Sequence, residues 1–349
     1  MREGWEYKKL NEVCDKGSSN IVINKLIDNN GDYPLYGASG LIKDIDFYHQ
    51  DKRYIGIVKD GAGVGRVNIY PAFSSLVGTM QYIFPKEGYS LDFIKYFLIK
   101  LDLSHCVSGA TIPHIYFKDY GKELIPTPSL DTQLAIVSEL DKINELIRLK
   151  KEQLKDLDKL AQSIFYEMFG DPVENEKGWE VKKLGEVCDI FAGGDKPNDI
   201  KTTQDNEYIY PVIANGEGEK GILGYTKKCR VIKNAVTIGA RGASIGNCRI
   251  VKDGFTPAIR LLTLIPSEKL DCPFLFYIVK GLDYKQNGAG QAQLTVPNIK
   301  NESIPLPPLP LQHLFAQRIE QIEHQKSEVQ KAITDLETLL ASRMQYWFE

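Results

Sequence analysis

The most suggestive chemical motif in this 349-residue chain is a glycine-rich run at residues 61–66, which follows a strand-like segment. Its sequence, Gly-Ala-Gly-Val-Gly-Arg, partly matches the GxGxxG fingerprint of dinucleotide-binding proteins. The match fails because Arg66 replaces the third glycine and no amphipathic helix follows. The sequence also lacks a Walker-type phosphate loop. The motif therefore favours a connection between strands over a nucleotide site.

His114 and the cysteines are the other residues with catalytic potential. His114 lies in a Pro-x-Ile motif whose counterpart later in the chain carries Asn298, so we expect a polar contact at this position instead of a general base. Cys14 and Cys188 occupy matching positions and are expected to be buried apolar thiols. The six cysteines form no CxxC pair and show no metal-ligand spacing with the five histidines. No catalytic residue and no metal site are predicted.

Basic and polar residues in or beside turn-rich segments are candidates for contacts with phosphates or bases. The chain as a whole carries 43 basic and 46 acidic residues, so bulk positive charge does not indicate a nucleic-acid partner and only local patches remain. The candidates are Lys43, Arg53, Lys59, Arg66, His114, Lys118, Lys228, Arg230, Arg241, Arg249, Arg260, Asn298 and Lys300.

Two long segments with a coiled-coil pattern position these turn-rich regions. In both, apolar residues recur at alternating steps of four and three, which is the spacing of a heptad seam. A helix of about 40 residues would be roughly 60 Å long. The first seam is predicted to contain Ile136, Leu140, Ile143, Ile147, Lys150, Leu154, Leu157, Ala161, Ile164 and Met168. The second contains Phe315, Ile319, Ile322, Lys326, Val329, Ile333, Leu336, Leu340, Arg343 and Trp347.

A lysine stands within each seam, at Lys150 and Lys326. A polar seam residue can specify the register and pairing of two helices. Alternatively, a lysine can extend its ammonium group to the edge of the seam and specify nothing. The sequence leaves these two interpretations open.

The chain is an internal duplication. Each seam residue of the second helix follows its counterpart in the first by 179 residues. Within the two domains the offset changes, from 174 for the Gly-Trp-Glu motif at residues 4–6 and 178–180 to 184 for the motifs that contain His114 and Asn298. Loops tolerate changes of length, whereas one inserted residue shifts a heptad seam out of register. The helices are therefore predicted to be spacers of fixed length between variable domains.

The predicted fold class is α+β, with two β-rich globular domains separated by two long helices that pair as an antiparallel coiled coil. The predicted boundaries are a first domain at residues 1–129, a first spacer helix at 130–170, a second domain at 171–308 and a second spacer helix at 309–349. Short β-branched and aromatic runs predict strands at residues 54–58, 81–84, 235–238 and 261–265. A short helix is predicted in each domain, at residues 91–101 and 272–281.

Each domain opens on the Gly-Trp-Glu motif, here called the entry motif, and prolines precede each long helix, at Pro126, Pro128 and within residues 305–310. Together with the domain–helix–domain–helix order, these features resemble the specificity subunits of type I restriction-modification enzymes. The resemblance covers the whole chain. It implies two target-recognition domains that each read one half of a bipartite double-stranded DNA target, with the helices setting the gap and docking the modification subunits.

The resemblance also implies that this chain is not an enzyme and carries no cofactor. Methylation is expected to belong to two modification subunits that bind S-adenosylmethionine, and cleavage to restriction subunits that use ATP and Mg²⁺. No apolar run reaches membrane-spanning length, and the cysteine usage favours a reduced, cytoplasmic protein.

Two alternatives remain open, one from the resemblance and one from the residues. The chain could be the specificity subunit of a related enzyme that cuts on both sides of a split site. It could also be a coiled-coil scaffold whose two β domains bind ligands other than DNA. A self-contained methyltransferase is disfavoured, because the sequence lacks the Asn-Pro-Pro-aromatic tetrapeptide of base-flipping amino-methyltransferases.

Overall fold

The computed structural model describes residues 4–109, 111–216, 221–282, 284 and 293–349. The chain forms two compact units, one of residues 1–151 with 331–349 and the other of residues 152–330. Each unit therefore contains one β-rich domain and part of each long helix. The predicted α+β class with two β-rich domains and long paired helices is confirmed, and the pairing is described below within each unit.

The first domain contains three small sheets. Its strands are β1 (Tyr7–Lys9), β2 (Cys14–Ser18), β3 (Tyr33–Gly37), β4 (Gly40–Ile45), β5 (Tyr54–Val58), β6 (Val67–Tyr70), β7 (Ser75–Leu76), β8 (Met80–Pro85) and β9 (Leu124–Pro126). Its helices are α1 (Leu10–Val13), α2 (Leu91–Leu101) and α3 (Phe117–Tyr120), and the long helix α4 (Leu130–Phe169) follows. The sheet orders are β2-β8-β5-β6, β4-β3-β7 and β1-β9.

The second domain repeats this arrangement strand by strand. Its strands are β10 (Glu180–Lys183), β11 (Cys188–Ala192), β12 (Tyr210–Ile213), β13 (Ile222–Thr226), β14 (Ala235–Ile238), β15 (Cys248–Val251), β16 (Thr256–Pro257), β17 (Leu262–Pro266) and β18 (Ser303–Leu306). Its helices are α5 (Leu184–Val187), α6 (Cys272–Gly281) and α7 (Val296–Asn301), followed by the long helix α8 (Leu309–Phe348). The sheet orders β11-β17-β14-β15, β13-β12-β16 and β10-β18 match those of the first domain.

The central strands are apolar because both of their faces are covered. Every residue of β5 and of β14 is buried, which explains their continuous β-branched and aromatic sequences. Gly56 lies within β5, where a Cβ atom would approach the Tyr70 ring to 2.5 Å. A glycine at this position lets the aromatic side chain of the neighbouring strand lie across the sheet.

In the first unit, the domain packs on both long helices through α2. Phe93 and Phe97 of α2 contact Phe348 at the end of α8, with ring centroids 5.1 and 6.0 Å apart. Ile136 and Leu140 of α4 belong to the same buried cluster. Helix α2 therefore attaches the first domain to the helix pair by apolar burial.

In the second unit, an aromatic cluster performs the same task. Phe165 of α4 lies 5.9 Å from Phe274 and 5.7 Å from Tyr277 of α6, and 5.6 Å from Phe315 of α8. Phe165, Phe274 and Phe315 are almost completely buried. Phe165 lies outside the predicted seam, and it connects the helix pair to the domain.

The repeated tryptophans of the entry motif each lie at the end of a long helix. Trp5 stacks on Trp347 of α8, with centroids 6.1 Å apart. Trp179 donates its indole N–H to the Phe169 carbonyl at the end of α4, at 2.9 Å. Gly170 then adopts φ +78°, which only glycine tolerates easily after a helix end.

The two long helices run antiparallel within each unit. In the first unit, Glu139 contacts Arg343 and Lys151 pairs with Glu337 at 2.8 Å. The residue number of the α8 partner therefore falls as the residue number along α4 rises, which is the pattern of antiparallel helices. In the second unit, Asp158 pairs with Lys326 at 2.8 Å and Phe169 packs on Phe315.

The predicted seam residues all lie on the covered faces of α4 and α8, since each of them is buried or half-buried. The half-buried seam residues are Lys150, Leu154, Ile164, Lys326, Leu336, Leu340, Arg343 and Trp347, and the remaining seam residues are buried.

Lys326 extends its ammonium group to the edge of the seam and pairs there with the facing helix, and its role in specifying register stays a prediction. Its side chain is 26% exposed, and its ammonium pairs with Asp158 of the facing helix at 2.8 Å and with Glu323 of its own helix at 2.9 Å. Both carboxylates are more than half exposed. The ammonium therefore reaches the solvent-exposed edge of the seam, where it forms an ion pair with Asp158 of the facing helix.

A buried glutamine joins each long helix to the domain that precedes it. The Gln133 side chain accepts from the Ser90 N–H at 2.9 Å and donates to the carbonyls of Pro128 and Gly88. Gln312 accepts from the Asp271 N–H at 2.8 Å and donates to the carbonyls of Pro307 and Lys269. The two glutamines lie 179 residues apart, so this connection belongs to the duplication.

Replacing either buried glutamine with leucine should destabilise the protein. Gln133→Leu or Gln312→Leu leaves one N–H and two carbonyls without their partner, which should cost about 1–3 kcal/mol. Denaturant unfolding followed by circular dichroism measures this loss. The control is Gln317→Leu at an exposed position of α8, which should change stability by less than about 0.5 kcal/mol. Equal effects of the three substitutions would contradict the assigned role.

Lys326 offers a second stability test. Lys326→Leu should maintain or raise the melting temperature, because it extends the apolar seam and leaves two carboxylates that water can solvate. Lys326→Glu should lower it, because three carboxylates would then lie together. Added salt should reduce the loss in Lys326→Glu by screening. A clearly lower melting temperature for Lys326→Leu would show that the ion pairs of Lys326 contribute more to stability than apolar packing in the seam does.

Candidate nucleic-acid interface

Long-range hydrogen bonds bring together loops at one edge of the first domain. The Gly61 N–H donates to the Pro113 carbonyl at 2.9 Å, and the Ile115 N–H donates to the Lys59 carbonyl at 2.9 Å. The Lys59 N–H donates to the Thr79 carbonyl at 3.0 Å. We define the first loop cluster as residues 59–66, 78–79, Ser108 and 111–115. The glycine-rich run is thus the β5–β6 connection, in agreement with the strand connection that its sequence favours. The structure adds that two distant segments hold it in place.

The second domain contains an equivalent cluster, which is organised by Asn215. The Asn215 side chain accepts from the Ala240 N–H at 2.8 Å and donates to the Ile259 carbonyl at 2.7 Å. The Leu294 N–H donates to the Ala240 carbonyl at 3.0 Å. We define the second loop cluster as residues 193–194, 214–216, 239–246, 258–261 and 293–294.

Two consecutive residues of the second loop cluster adopt left-handed backbone conformations. Ile259 has φ +49° and Arg260 has φ +59°. This conformation is costly for a β-branched residue, and such strain persists only where the surroundings impose it. The Ile259 N–H donates to the Gly194 carbonyl at 2.7 Å and the Arg260 N–H to the Gly193 carbonyl at 3.1 Å. These bonds hold a strained turn that exposes both side chains.

Gly193 is required for this arrangement. A Cβ atom there would come within 2.7 Å of the Ala258 backbone nitrogen, which no ordinary contact allows. The absence of a side chain lets residues 193–194 approach the strained turn closely enough to bond it. The turn is therefore built by backbone contacts between two segments that are distant in the sequence.

Three of the candidates in the first domain lie in its loop cluster. Lys59 pairs with Asp60 at 3.0 Å, and Arg66 is exposed and donates to the Ala38 carbonyl at 2.8 Å. The His114 ring nitrogen Nδ1 lies 3.1 Å from the Ile112 carbonyl, which is a polar contact of the expected kind. The cluster thus presents two cations and one imidazole.

The other three candidates of the first domain lie outside its loop cluster. Lys43 donates to the carbonyls of Leu26 and Ile27, and therefore anchors that segment. Arg53 pairs with Asp92 at 3.3 Å. The ammonium of Lys118, in α3, lies 5.1 Å from the centre of the Tyr116 ring.

In the second domain, Arg241 and Arg260 belong to the loop cluster and both are exposed. Among the described residues, neither side chain has an ion-pair partner. Arg249 lies beside the cluster, where it donates to the Gly216 carbonyl at 3.3 Å and lines a cavity of about 240 Å³. Burial lowers the pKa of its guanidinium from the usual value.

The remaining candidates of the second domain are placed elsewhere. The Arg230 guanidinium lies 5.1 Å from the centre of the Phe191 ring, and the Lys228 side chain is exposed. The Asn298 N–H donates to the Thr295 hydroxyl and so helps to cap α7. Lys300 is exposed on the same helix, and its Cβ lies close to Gly185.

Sequence reasoning missed Asn215 and Ile259. Both matter through contacts between loops, and the pattern of apolar residues does not encode such contacts. An Ala-Asn-Gly run at residues 214–216 is a turn signal that could have drawn attention to Asn215. No sequence signal marks a left-handed isoleucine.

The matching cysteines are poor candidates for nucleophiles. Burial raises the pKa of the Cys14 thiol and of the Cys188 thiol to about 12. All six cysteines are free thiols. Among the described residues, no helix is both long and apolar enough to cross a bilayer.

Comparison with known proteins gives consistent matches over most of the chain. The family model for the type I restriction modification DNA specificity domain matches residues 2–159 and 176–338. The putative type I specificity subunit S.MpnORF507P of Mycoplasma pneumoniae is 26% identical over 351 residues, covering 98% of this chain and 95% of that protein. The type I restriction enzyme MjaIX specificity subunit of Methanocaldococcus jannaschii is 26% identical over 296 residues, covering 74% and 68%.

Two solved structures share the fold. A type I restriction-modification S subunit from M. genitalium aligns with a TM-score of 0.64 at 16% identity, covering 100% of this chain and 98% of that one. A chain from a study of complex assembly and conformational transition in the type I system aligns with a TM-score of 0.59 at 20% identity, covering 99% and 97%. With two copies of the domain matched by the family model and this fold, the chain belongs to the type I restriction-modification DNA specificity family.

Proposed function

We propose that this chain is the DNA-reading subunit of a type I restriction-modification complex, and that each β-rich domain reads one half of a bipartite target. The observation that carries the proposal is the repeated loop cluster, which presents the exposed Arg66 in the first domain and the exposed Arg241 and Arg260 in the second. Bases are read by side chains that enter the grooves, and flexible loops would lose more entropy on binding than loops already held in place. The hydrogen bonds among the loops supply this pre-organisation.

The proposed partners follow from the family. Two modification subunits would bind S-adenosylmethionine and methylate an adenine in each half-site after flipping it from the duplex. Restriction subunits with ATP and Mg²⁺ would cleave. The chain itself would contribute recognition and no catalytic residue. Its nearly balanced charge is compatible with this role if the partners supply many of the phosphate contacts.

Arg260 is the side chain that we expect to contribute most to recognition by the second domain. The strained turn exposes it, and no described acidic group neutralises it. Arg260→Ala should weaken target binding by roughly 5- to 150-fold, the range for loss of one good arginine–base contact. The measurement is fluorescence anisotropy of the complex with its modification subunits, on a target identified by mapping methylated adenines.

Two matched variants sharpen this test. Arg318→Ala removes an exposed arginine from α8 and should leave target affinity unchanged. Ile259→Gly relieves the left-handed strain, so it should fold at least as stably and yet bind the target more weakly because the turn is no longer pre-organised. Unchanged affinity in both Arg260→Ala and Ile259→Gly would remove this turn from the interface.

The long helices are proposed to set the unread gap of the target. Deleting residues 151–157 and 327–333 removes one heptad from each helix and preserves the four–three rhythm of both seams. Seven residues at 1.5 Å each correspond to about 3 base pairs, so the gap should shorten by about that number. Methylation mapping by sequencing detects the new spacing.

A deletion out of phase provides the contrast. Removing residues 151–154 alone shifts one seam against the other and should abolish sequence-specific methylation. If the variant that lacks one heptad in each helix methylates the original target with its original gap, the helices do not set the gap.

Salt-dependent retention of DNA separates the proposed function from the scaffold alternative. The complex with modification subunits should retain DNA in this way, whereas a scaffold for other ligands should not.

A further inference from the structure

Three potential metal ligands meet in the first domain, outside the loop clusters. His105 and Cys106 end a short 3-10 helix, and Glu123 lies between α3 and β9. A ring nitrogen of His105, the Cys106 sulfur and a Glu123 carboxylate oxygen all lie within 4.8 Å of one another. Adjacent His105 and Cys106 do not show the spacing of zinc motifs, so the sequence does not indicate this site.

The histidine is oriented as metal-binding histidines usually are. Its Nδ1 atom lies 2.8 Å from the Asp102 carbonyl oxygen, so a proton on Nδ1 is held by the backbone. Nε2 then points to Glu123 and lies 3.1 Å from Oε1. In metal-binding histidines, the ring nitrogen that does not bind the metal usually donates a hydrogen bond, for example to a backbone carbonyl, and this bond sets the tautomer and the ring orientation.

We propose that His105 Nε2, Cys106 Sγ and Glu123 Oε1 bind a zinc ion, with water as the fourth ligand. Tetrahedral zinc with bonds of about 2.0 Å to nitrogen and oxygen separates those two ligand atoms by about 3.3 Å. The His105 nitrogen and the Glu123 oxygen are already near this separation, at 3.1 Å, and the sulfur lies within the 4.8 Å that spans the three ligand atoms. One nitrogen, one sulfur and one oxygen form a donor set that suits zinc better than calcium or magnesium.

The proposed ion would be a structural clamp. It would join Cys106 to Glu123 and so close the segment between them, which includes Ser108 and residues 111–115 of the first loop cluster. Fixing the ends of a loop reduces its conformational freedom. This site would therefore hold one segment of the loop cluster, although its metal binding does not depend on the DNA-reading function.

The second domain acts as an internal comparison. The Pro-x-Ile motifs of the two domains are offset by 184 residues, which places the counterparts of His105 and Cys106 at residues 289 and 290. Residues 284–292 contain no histidine, cysteine, aspartate or glutamate. These counterpart residues lie outside the described part of the chain. On sequence alone, one zinc ion per chain is expected.

The test is a titration of the chelator-treated full-length chain with Co²⁺, followed by displacement with Zn²⁺. The expected result is a thiolate-to-cobalt charge-transfer band with tetrahedral visible absorption, saturating at one equivalent and abolished by zinc. Cys106→Ser should lose the charge-transfer band. The matched control, Cys229→Ser, removes another half-buried thiol and should retain it.

Glu123→Gln keeps the size of the side chain and provides a test if Cys106→Ser misfolds. It should weaken Co²⁺ affinity by roughly tenfold or more. In the wild type, zinc should also slow protease cleavage between residues 107 and 122. The proposal is overturned if the wild type shows no charge-transfer band, if the band persists in folded Cys106→Ser, or if Glu123→Gln binds Co²⁺ as tightly as the wild type.

Discussion

Apolar burial between each β-rich domain and the long helices is the constraint on which the rest of the structure depends. In the second unit, Phe165 joins α4 to α6 and α8 within a single aromatic cluster. In the first unit, Phe348 performs the corresponding role against α2. In the first unit, the buried cluster that contains Ile136 and Leu140 of α4 also contains Ile55 and Ile83 of the central sheet, so the sheet and the helices share one core.

Polar contacts then define how each domain meets the adjacent helix. Apolar packing is non-directional, whereas hydrogen bonds demand a particular geometry. Gln133 and Gln312 each bond one backbone N–H and two backbone carbonyls, which lie in the preceding domain and just before the helix. Both side chains are buried. Trp5 packs on Trp347 near the end of α8, and Trp179 donates to the Phe169 carbonyl at the end of α4, so the entry motif contacts a helix end in each unit. Duplicated contacts of this kind explain why the entry motif and the glutamine recur while intervening loops change length.

The loop clusters of the two domains share one architecture and expose different residues. Their loops bond to one another mainly through backbone groups, and Asn215 adds a side-chain contact in the second domain. Backbone bonding leaves the outward side chains free to differ, so the sheet order of the two domains is the same while the exposed residues are not. The strained Ile259–Arg260 turn occurs in the second domain, and its counterpart in the first, residues 78–79, contains glycine.

Periodicity and repetition in the sequence determined the duplication, the α+β class, both long helices and the short helices Leu91–Leu101 and Cys272–Gly281. These features depend on which face of a helix or strand is apolar, and the spacing of apolar residues along the sequence indicates that face directly. The tertiary structure alone decided that Lys59, Arg66 and His114 share one edge while Lys43 and Arg53 do not. It also decided that Ile259 is left-handed and that His105 and Cys106 face Glu123. Contacts between distant loops depend on how whole elements pack, and local residue spacing does not encode that packing.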